Sequence, residues 1–169
     1  MGMDSAGRRV NDTTTAGVIA RPIRLFPAAL VVGFALDHLL PLPFSIPRAG
    51  LAHGIGVVIA GALIVIGIAL FAAGVRNFSR AATPLPTNEP ARVLVMTGIH
   101  GWTRNPIYLG FFLMYLGIGV AVRSPWILAL TIPLAVAIRY GVVAREEAYL
   151  ERRFGDAYRD YKARVPRWL

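Results

Sequence analysis

LAHGIGVVIAGALIVIGIALFAAGV, residues 51–75, runs for twenty-five positions without an Asp, Glu, Lys or Arg. As a helix rising ~1.5 Å per residue it is about 37 Å long, more than the roughly 30 Å hydrocarbon thickness of a bilayer. Three further apolar runs accompany it, at Leu25–Phe44, Ile107–Val122 and Trp126–Ala144, with short segments rich in Pro, Gly and Arg between them. The pattern predicts an all-α integral membrane bundle of four transmembrane helices. Ile107–Val122, at sixteen residues, is just under the usual spanning length, so its ends are expected to reach into the interface or its helix to sit where the bilayer is thin. Leu25–Leu36, preceded by Arg21 and Arg24, also has the outline of a signal-peptide core. No A-x-A-like site follows, and the run continues past Asp37 and His38, so it is read as a span.

The whole composition agrees. Of 169 residues 56% are apolar and 16% charged, a balance that excludes a disordered chain and is unusual for a soluble domain. The length fits one membrane domain over 23–169, after a polar, Gly- and Thr-rich stretch, 1–22, expected to be a disordered cytoplasmic tail. There is no cysteine, which removes disulfides, thiolate catalysis and Cys-based metal sites. The net charge of +9 is compatible with nucleic acid or with membrane, and the placement of the charges decides. Fifteen of the eighteen Lys and Arg lie before the first run, between the second and third, or after the fourth; two, Arg48 and Arg123, lie in the remaining connections, and Arg139 is inside the fourth run. By the positive-inside rule the termini and the middle loop are cytoplasmic, as in a multi-pass protein of a bacterial inner membrane or its equivalent. No soluble basic face with interleaved aromatics remains for nucleic acid.

Two cytoplasmic stretches are too particular to be mere connectors: RVLVMTGIHGWTRNPIY, residues 92–108, and REEAYLERRFGDAYRDYKARVPRWL, residues 145–169. Topology puts them on one face, where they can share a site. Gly98 and Gly101 permit close approach or positive φ, and Pro106 after Asn105 suits a helix start whose free N–H groups favour an anion. In the second stretch Leu150, Phe154, Tyr158, Tyr161 and Val165 form an amphipathic helical stripe. Gly155 is expected to end one helical piece, Asp156 to cap the next and Pro166 to end it, giving a cytoplasmic amphipathic segment lying on the protein or in the headgroups. The adjacent Glu146 and Glu147, where the fourth run meets water, require cationic partners: Arg145, Arg139, a lipid-facing basic residue, or a cationic ligand. The small residues Gly56, Ala60, Gly61 and Gly67 read as helix-packing positions.

Taken in order, Val93-Leu94-Val95, Thr97-Gly98, Trp102-x-Arg104-Asn105-Pro106-x-Tyr108-x-Gly110, Glu146-Glu147 and Phe154-Gly155-x-x-Tyr158-x-x-Tyr161-x-x-x-Val165-Pro166 resemble the isoprenylcysteine carboxyl methyltransferases, to which the phospholipid N-methyltransferases are related. The likeness runs from about Ala73 to Pro166 and includes the Ala73-Gly74 and Asn77-Phe78 pairs. It implies a membrane enzyme using S-adenosylmethionine, with the Arg-x-Pro-x-Tyr segment and the Glu pair forming the cofactor site and the C-terminal segment closing over it. Carried over, Gly98, His100, Trp102, Arg104, Tyr108, Glu146 and Glu147 are the cofactor-binding candidates, and Arg104, Asn105 and Glu147 the catalytic ones. Asn105 stands where the family often has His, and His100 where Tyr is usual.

These residue types suit that ligand. Glu146 and Glu147 accept from an ammonium or from ribose hydroxyls, Arg104 and the helix start at Pro106 meet a carboxylate, and Tyr108 or Trp102 flanks an adenosyl group. A carboxylate acceptor needs no base, whereas an amine or thiol acceptor would need His100 or Glu146 to take its proton. Arg139, seven residues before Glu146 and so on the same face of a regular helix, is a candidate substrate-binding residue. Asp37 and His38 sit beside Pro41 and Pro43 at the other boundary, and with His53 they show no metal-ligand spacing, so no metal is assigned. Membrane lipids and a lipophilic or prenylated acceptor are the expected partners. Amine N-methylation of a phospholipid, S-methylation of a small thiol, and a non-catalytic membrane scaffold are the competing readings.

Overall fold

The computed structural model describes residues 22–42, 49–84 and 91–169. The expected tail therefore lies, apart from Pro22, outside the described residues. The described chain is helical with no strand: α1 (Pro22–Leu39), α2 (Gly50–Arg80), a 3₁₀ turn (Gly98–Gly101), α3 (Pro106–Val122), α4 (Pro125–Ile138), a π turn (Arg139–Val143), α5 (Ala144–Phe154) and α6 (Asp156–Arg164). Three helices are long and apolar enough to cross a membrane: α1, α2 and the continuous rod Pro125–Phe154. The fourth apolar helix, α3, has 17 residues and is shorter, as its run anticipated.

Each helix boundary follows from its residues. The first run was expected to stay apolar to Phe44, but α1 stops at Leu39, because Pro41 disfavours helical backbone at Leu40 and offers no N–H to continue the ladder. Its end is joined to the start of α4 by Trp126 Nε1, which donates to Leu40 O at 2.8 Å. Helix α2 continues past its apolar run to Arg80, carrying Asn77 and Phe78 beyond the hydrophobic stretch. Ser124 caps α4, accepting from Ile127 N at 2.9 Å. Gly155, at φ +56°, ends α5 as expected. Asp156, however, is the first residue of α6 rather than its cap, and its carboxylate takes Arg159 Nη2 at 2.6 Å instead.

Helix α2 packs along α3, and α1 along α4. Between α2 and α3 the backbones nearly touch. A Cβ on Gly67 would lie 2.7 Å from Gly110 O, one on Gly110 2.6 Å from Gly67 O, and one on Gly117 3.0 Å from Ala60 O. A Cβ on Gly74 would meet side chains instead, Ile107 at 2.6 Å and Pro106 at 3.4 Å. Ala60, Gly67 and Gly74 thus recur every seven residues, one position per two turns, on the face α3 occupies. Of the small residues expected to pack, Gly56 and Gly61 do not: each faces open space, because both lie off that seven-residue register. The buried centre of the bundle is Phe26, Tyr108, Tyr115, Ile127, Leu134, Ile138, Val142 and Val143, with Trp168 of the C-terminal end packed against it. The stripe on α5 and α6 lies on the protein: Tyr158, Tyr161 and Val165 pack with Leu94, Leu150 and Phe154.

Candidate active site

The 103–108 segment, the start of α5 and the last residues of the chain converge on one cluster. Arg104 Nη1 is 2.9 Å from Glu147 Oε1, and Arg167 closes on the same carboxylate from the other side, Nε to Oε1 at 2.8 Å and Nη2 to Oε2 at 2.6 Å. Tyr108, one turn into α3, donates its hydroxyl to Glu146 Oε1 at 2.8 Å in a buried contact. Two guanidinium groups thus share the Glu147 carboxylate, and charge-assisted bonds of this kind are roughly twice as strong as neutral ones. Glu147's cationic partners are Arg104 and Arg167, neither of which was among the expected ones.

Arg167 is held there by its own backbone. Arg104 N donates to Pro166 O at 3.0 Å, while Thr103 Oγ1 (3.2 Å) and Asn105 Nδ2 (3.0 Å) both donate to Arg167 O. The residues after α6 therefore form a strap across the 103–105 segment. The Asn105 side chain is committed to that strap, although the residue also lines the cavity described next. Arg167 was missed in the sequence; its signal is its place directly after the helix-ending Pro166, where the chain turns back toward the cluster.

Beside the cluster is a cavity of about 200 Å³. Arg104, Asn105, Tyr108, Glu146 and Glu147 line its polar part; Phe78, Val93, Leu94, Val95, His100 and Tyr161 line the rest, and Tyr158, bonded to Arg104, joins the two. Pro22 and Ile23 of α1, Phe71 of α2 and Phe111 of α3 also line it. Burial, and then the Glu147 charge, push the Tyr158 hydroxyl up to about 12, so it stays protonated beside Arg104 Nη1, whose donor it accepts at 3.4 Å. Burial likewise raises Tyr161, whose hydroxyl donates to His100 O at 2.7 Å. Hydrogen bonding to Glu147 raises Arg167 above the ordinary guanidinium range.

Not every expected residue arrives at this cavity. Trp102 is 75% exposed and lies outside the lining, because the 3₁₀ turn ends at Gly101 and points it away. Gly98 does not line the cavity either; at φ +58° it lets the turn close on Asn77, whose side chain a Cβ would meet at 2.6 Å. Arg139 is also outside the lining and stacks over Tyr140 at 5.1 Å. Its expected alignment with Glu146 assumed a regular helix. The π turn at Arg139–Val143 adds a residue to that turn and shifts the phase by roughly the ~100° of one helical residue.

Burial lowers the His100 imidazole to about 4, so it is neutral at pH 7 and a weak base. The unfolded chain, with an ordinary histidine near 6.5, binds this proton more readily. Stability from the neutral ring is therefore fully present above about pH 6.5 and is lost as the pH falls toward 4. Wild type should lose on the order of 3 kcal/mol more across that window than His100→Gln. Thermal unfolding at pH 7 and pH 4.5 reads this directly, and equal losses contradict it.

Among the described residues no three His, Cys, Asp or Glu are grouped to hold a metal ion. The family model for phospholipid methyltransferases matches residues 55–157. A protein-S-isoprenylcysteine O-methyltransferase of Saccharomyces cerevisiae is 35% identical over 77 residues, covering 46% of this chain and 32% of its own length. That of Rattus norvegicus is 34% identical over 105 residues, covering 60% of this chain and 35% of its own. An uncharacterized protein of Haemophilus influenzae is 67% identical over 27 residues, covering 16% of this chain and 43% of its own. The chain thus matches about a third of the length of the isoprenylcysteine enzymes. The family match contains Asn77, the 103–108 segment, both glutamates and Gly155, and takes in more than half of the sequence: this chain belongs to the phospholipid methyltransferase family.

Proposed function

We propose that this protein is an integral membrane methyltransferase that takes its methyl group from S-adenosylmethionine and passes it to a lipid-like acceptor, with a carboxylate favoured. The observation that carries the reading is the cluster of Arg104, Glu146 and Glu147 on the wall of an otherwise apolar and aromatic cavity, with Arg167 closing on Glu147 from outside the lining. A ligand with an ammonium, a carboxylate and a flat heterocycle matches such a cavity end for end. Arg104 Nε is buried without a partner among the described residues, so this guanidinium keeps unused donor capacity. In this reading Arg104 holds the ligand's carboxylate, Glu146 and Glu147 accept from its ammonium and ribose hydroxyls, and Tyr108 orients Glu146. When bound, the sulfonium supplies an already activated methyl group.

The chain's own part is positioning and exclusion of water. An acceptor carboxylate is ionised at neutral pH, so no base is required, and in-line placement in a dry site is a large effect by itself. This suits a site whose one imidazole is a weak base and whose Asn105 holds the strap. The acceptor enters from the bilayer between α1 and α2, which share hardly any contact and between which Ile23, Phe71 and Phe111 form an apolar wall. All four apolar helices span, α3 in a locally thin bilayer, with both termini cytoplasmic.

Incubation of purified protein with methyl-labelled S-adenosylmethionine and bacterial lipid extract tests the reading. Label in the organic phase that mild base releases is the expected result, since an ester hydrolyses there. Base-stable label points to the second reading, amine or thiol methylation; the family's description names phospholipids as acceptors. No transferred label contradicts both.

A further inference from the structure

His100 is 4% exposed, lines the aromatic end of the cavity, and is held on three sides. Its ring meets Phe78 edge to face, with centroids 5.0 Å apart at 87°. Its carbonyl oxygen takes the Tyr161 hydroxyl. Its Nδ1 lies 3.3 Å from Asn77 Nδ2, and the same Nδ2 lies 2.8 Å from Thr97 O. A carbonyl oxygen only accepts, so the Asn77 atom between these two groups is the amide nitrogen, and it donates to both. Nδ1 is then an acceptor, and the proton of the neutral imidazole sits on Nε2. Gly98 is what brings Asn77 this close, since any side chain there would collide with it.

Nε2 has no protein partner among the described residues. Of the hydroxyls beside it, that of Tyr161 gives its proton to His100 O, and that of Tyr158 accepts from Arg104. A buried cavity end with aromatic walls and one N–H donor fits a flat heterocycle bearing acceptor nitrogens, and a lipid tail offers no such acceptor.

We propose that Asn77 and His100 together read the adenine of the methyl donor: Asn77 fixes the imidazole as its Nε2–H tautomer, and Nε2–H donates to a ring nitrogen of the base. His100 is the binding residue and Asn77 a positioning residue. This rests on the methyl-donor reading above and adds to it the identity of the group that meets the base.

The test combines two measurements on protein purified in detergent. Nitrogen-15 NMR of histidine-labelled protein without ligand should show His100 neutral and protonated on Nε2 in wild type. In Asn77→Asp, whose carboxylate only accepts, the proton should move to Nδ1. Titration with S-adenosylhomocysteine should leave His100→Gln within about threefold of wild type, since the glutamine amide nitrogen reaches the place of Nε2. His100→Asn, whose nitrogen reaches only the place of Nδ1, and Asn77→Asp should each bind roughly five- to tenfold more weakly. Of the 1-, 3- and 7-deaza analogues of that ligand, one should lose a similar factor on wild type and nothing further on His100→Asn. The comparison of His100→Gln with His100→Asn stands even if Asn77→Asp fails to fold. An Nδ1–H tautomer in wild type, or His100→Asn binding as tightly as wild type, overturns the assignment. No binding by wild type overturns the methyl-donor reading itself, and adenine as the ligand with it.

Discussion

Glu147→Ala is expected to lower the stability of the folded protein by about 3 kcal/mol, and Glu147→Gln by less, while both remove the binding of S-adenosylhomocysteine. The carboxylate neutralises two guanidinium groups, and its side chain and that of Arg104 are only 12% and 9% exposed. Removing one partner of a buried ionic cluster costs more than the cluster contributes, because the remaining charges stay desolvated without compensation. Two positive charges are stranded here, not one. Arg167 is more exposed, at 28%, and can relax toward water, so Arg167→Ala should cost less than Glu147→Ala or Arg104→Ala. That order is open to measurement by chemical denaturation in detergent. Equal stability of Glu147→Ala and wild type would mean that the cluster is not formed in the membrane protein.

Gly110→Leu should prevent α2 and α3 from packing, whereas Gly61→Leu should be tolerated. At Gly110 a Cβ alone would approach Gly67 O within 2.6 Å and Phe71 N within 2.9 Å, and backbone atoms cannot swing aside as a side chain does. Overpacking commonly costs about 1–3 kcal/mol even where side chains can adjust, and here the helices themselves must separate. The separation would also displace Tyr108 and Phe111, which flank Gly110 on α3 and line the cavity, so binding should fall with folding. Gly61 faces open space, which in a membrane is lipid, and a leucine there is compatible with the bilayer. The monomer peak in size-exclusion chromatography, with its midpoint of thermal unfolding, compares the two variants; indistinguishable behaviour would contradict the packing.

These expectations show which parts of the structure composition carries. Apolar runs and proline positions place the helices, because length without charge is a bulk property that each segment expresses by itself. The start of α3 at Pro106 and the break at Gly155 were legible for the same reason: each depends on a residue's own backbone chemistry. What was hidden depends on phase or on distance in sequence. The π turn at Arg139–Val143 has no residue signature, and without it Arg139 seemed aligned with Glu146. Gly56 and Gly61 look as suited to close packing as Gly67, and only the seven-residue register of the partner helix separates them. Arg167 lies 20 residues from Glu147, and the strap that delivers it is held at its own backbone carbonyls, which accept from Thr103, Arg104 and Asn105 and leave no trace in the strap's own residue types. Asn77 was visible as part of a resembling pair, but its role needed the 3₁₀ turn folded onto it.

The arginine–glutamate cluster and its cavity are proposed as a methyl-donor site. Equilibrium binding of labelled S-adenosylhomocysteine to the purified protein, for wild type and for Glu147→Gln, with circular dichroism confirming that both are folded, tests it most directly. Saturable one-to-one binding by wild type and a loss of at least about a hundredfold in Glu147→Gln is the predicted result, a loss of the size expected when one buried charged contact of about 3 kcal/mol is removed. Absence of binding by wild type, or the same affinity in folded Glu147→Gln, would contradict it.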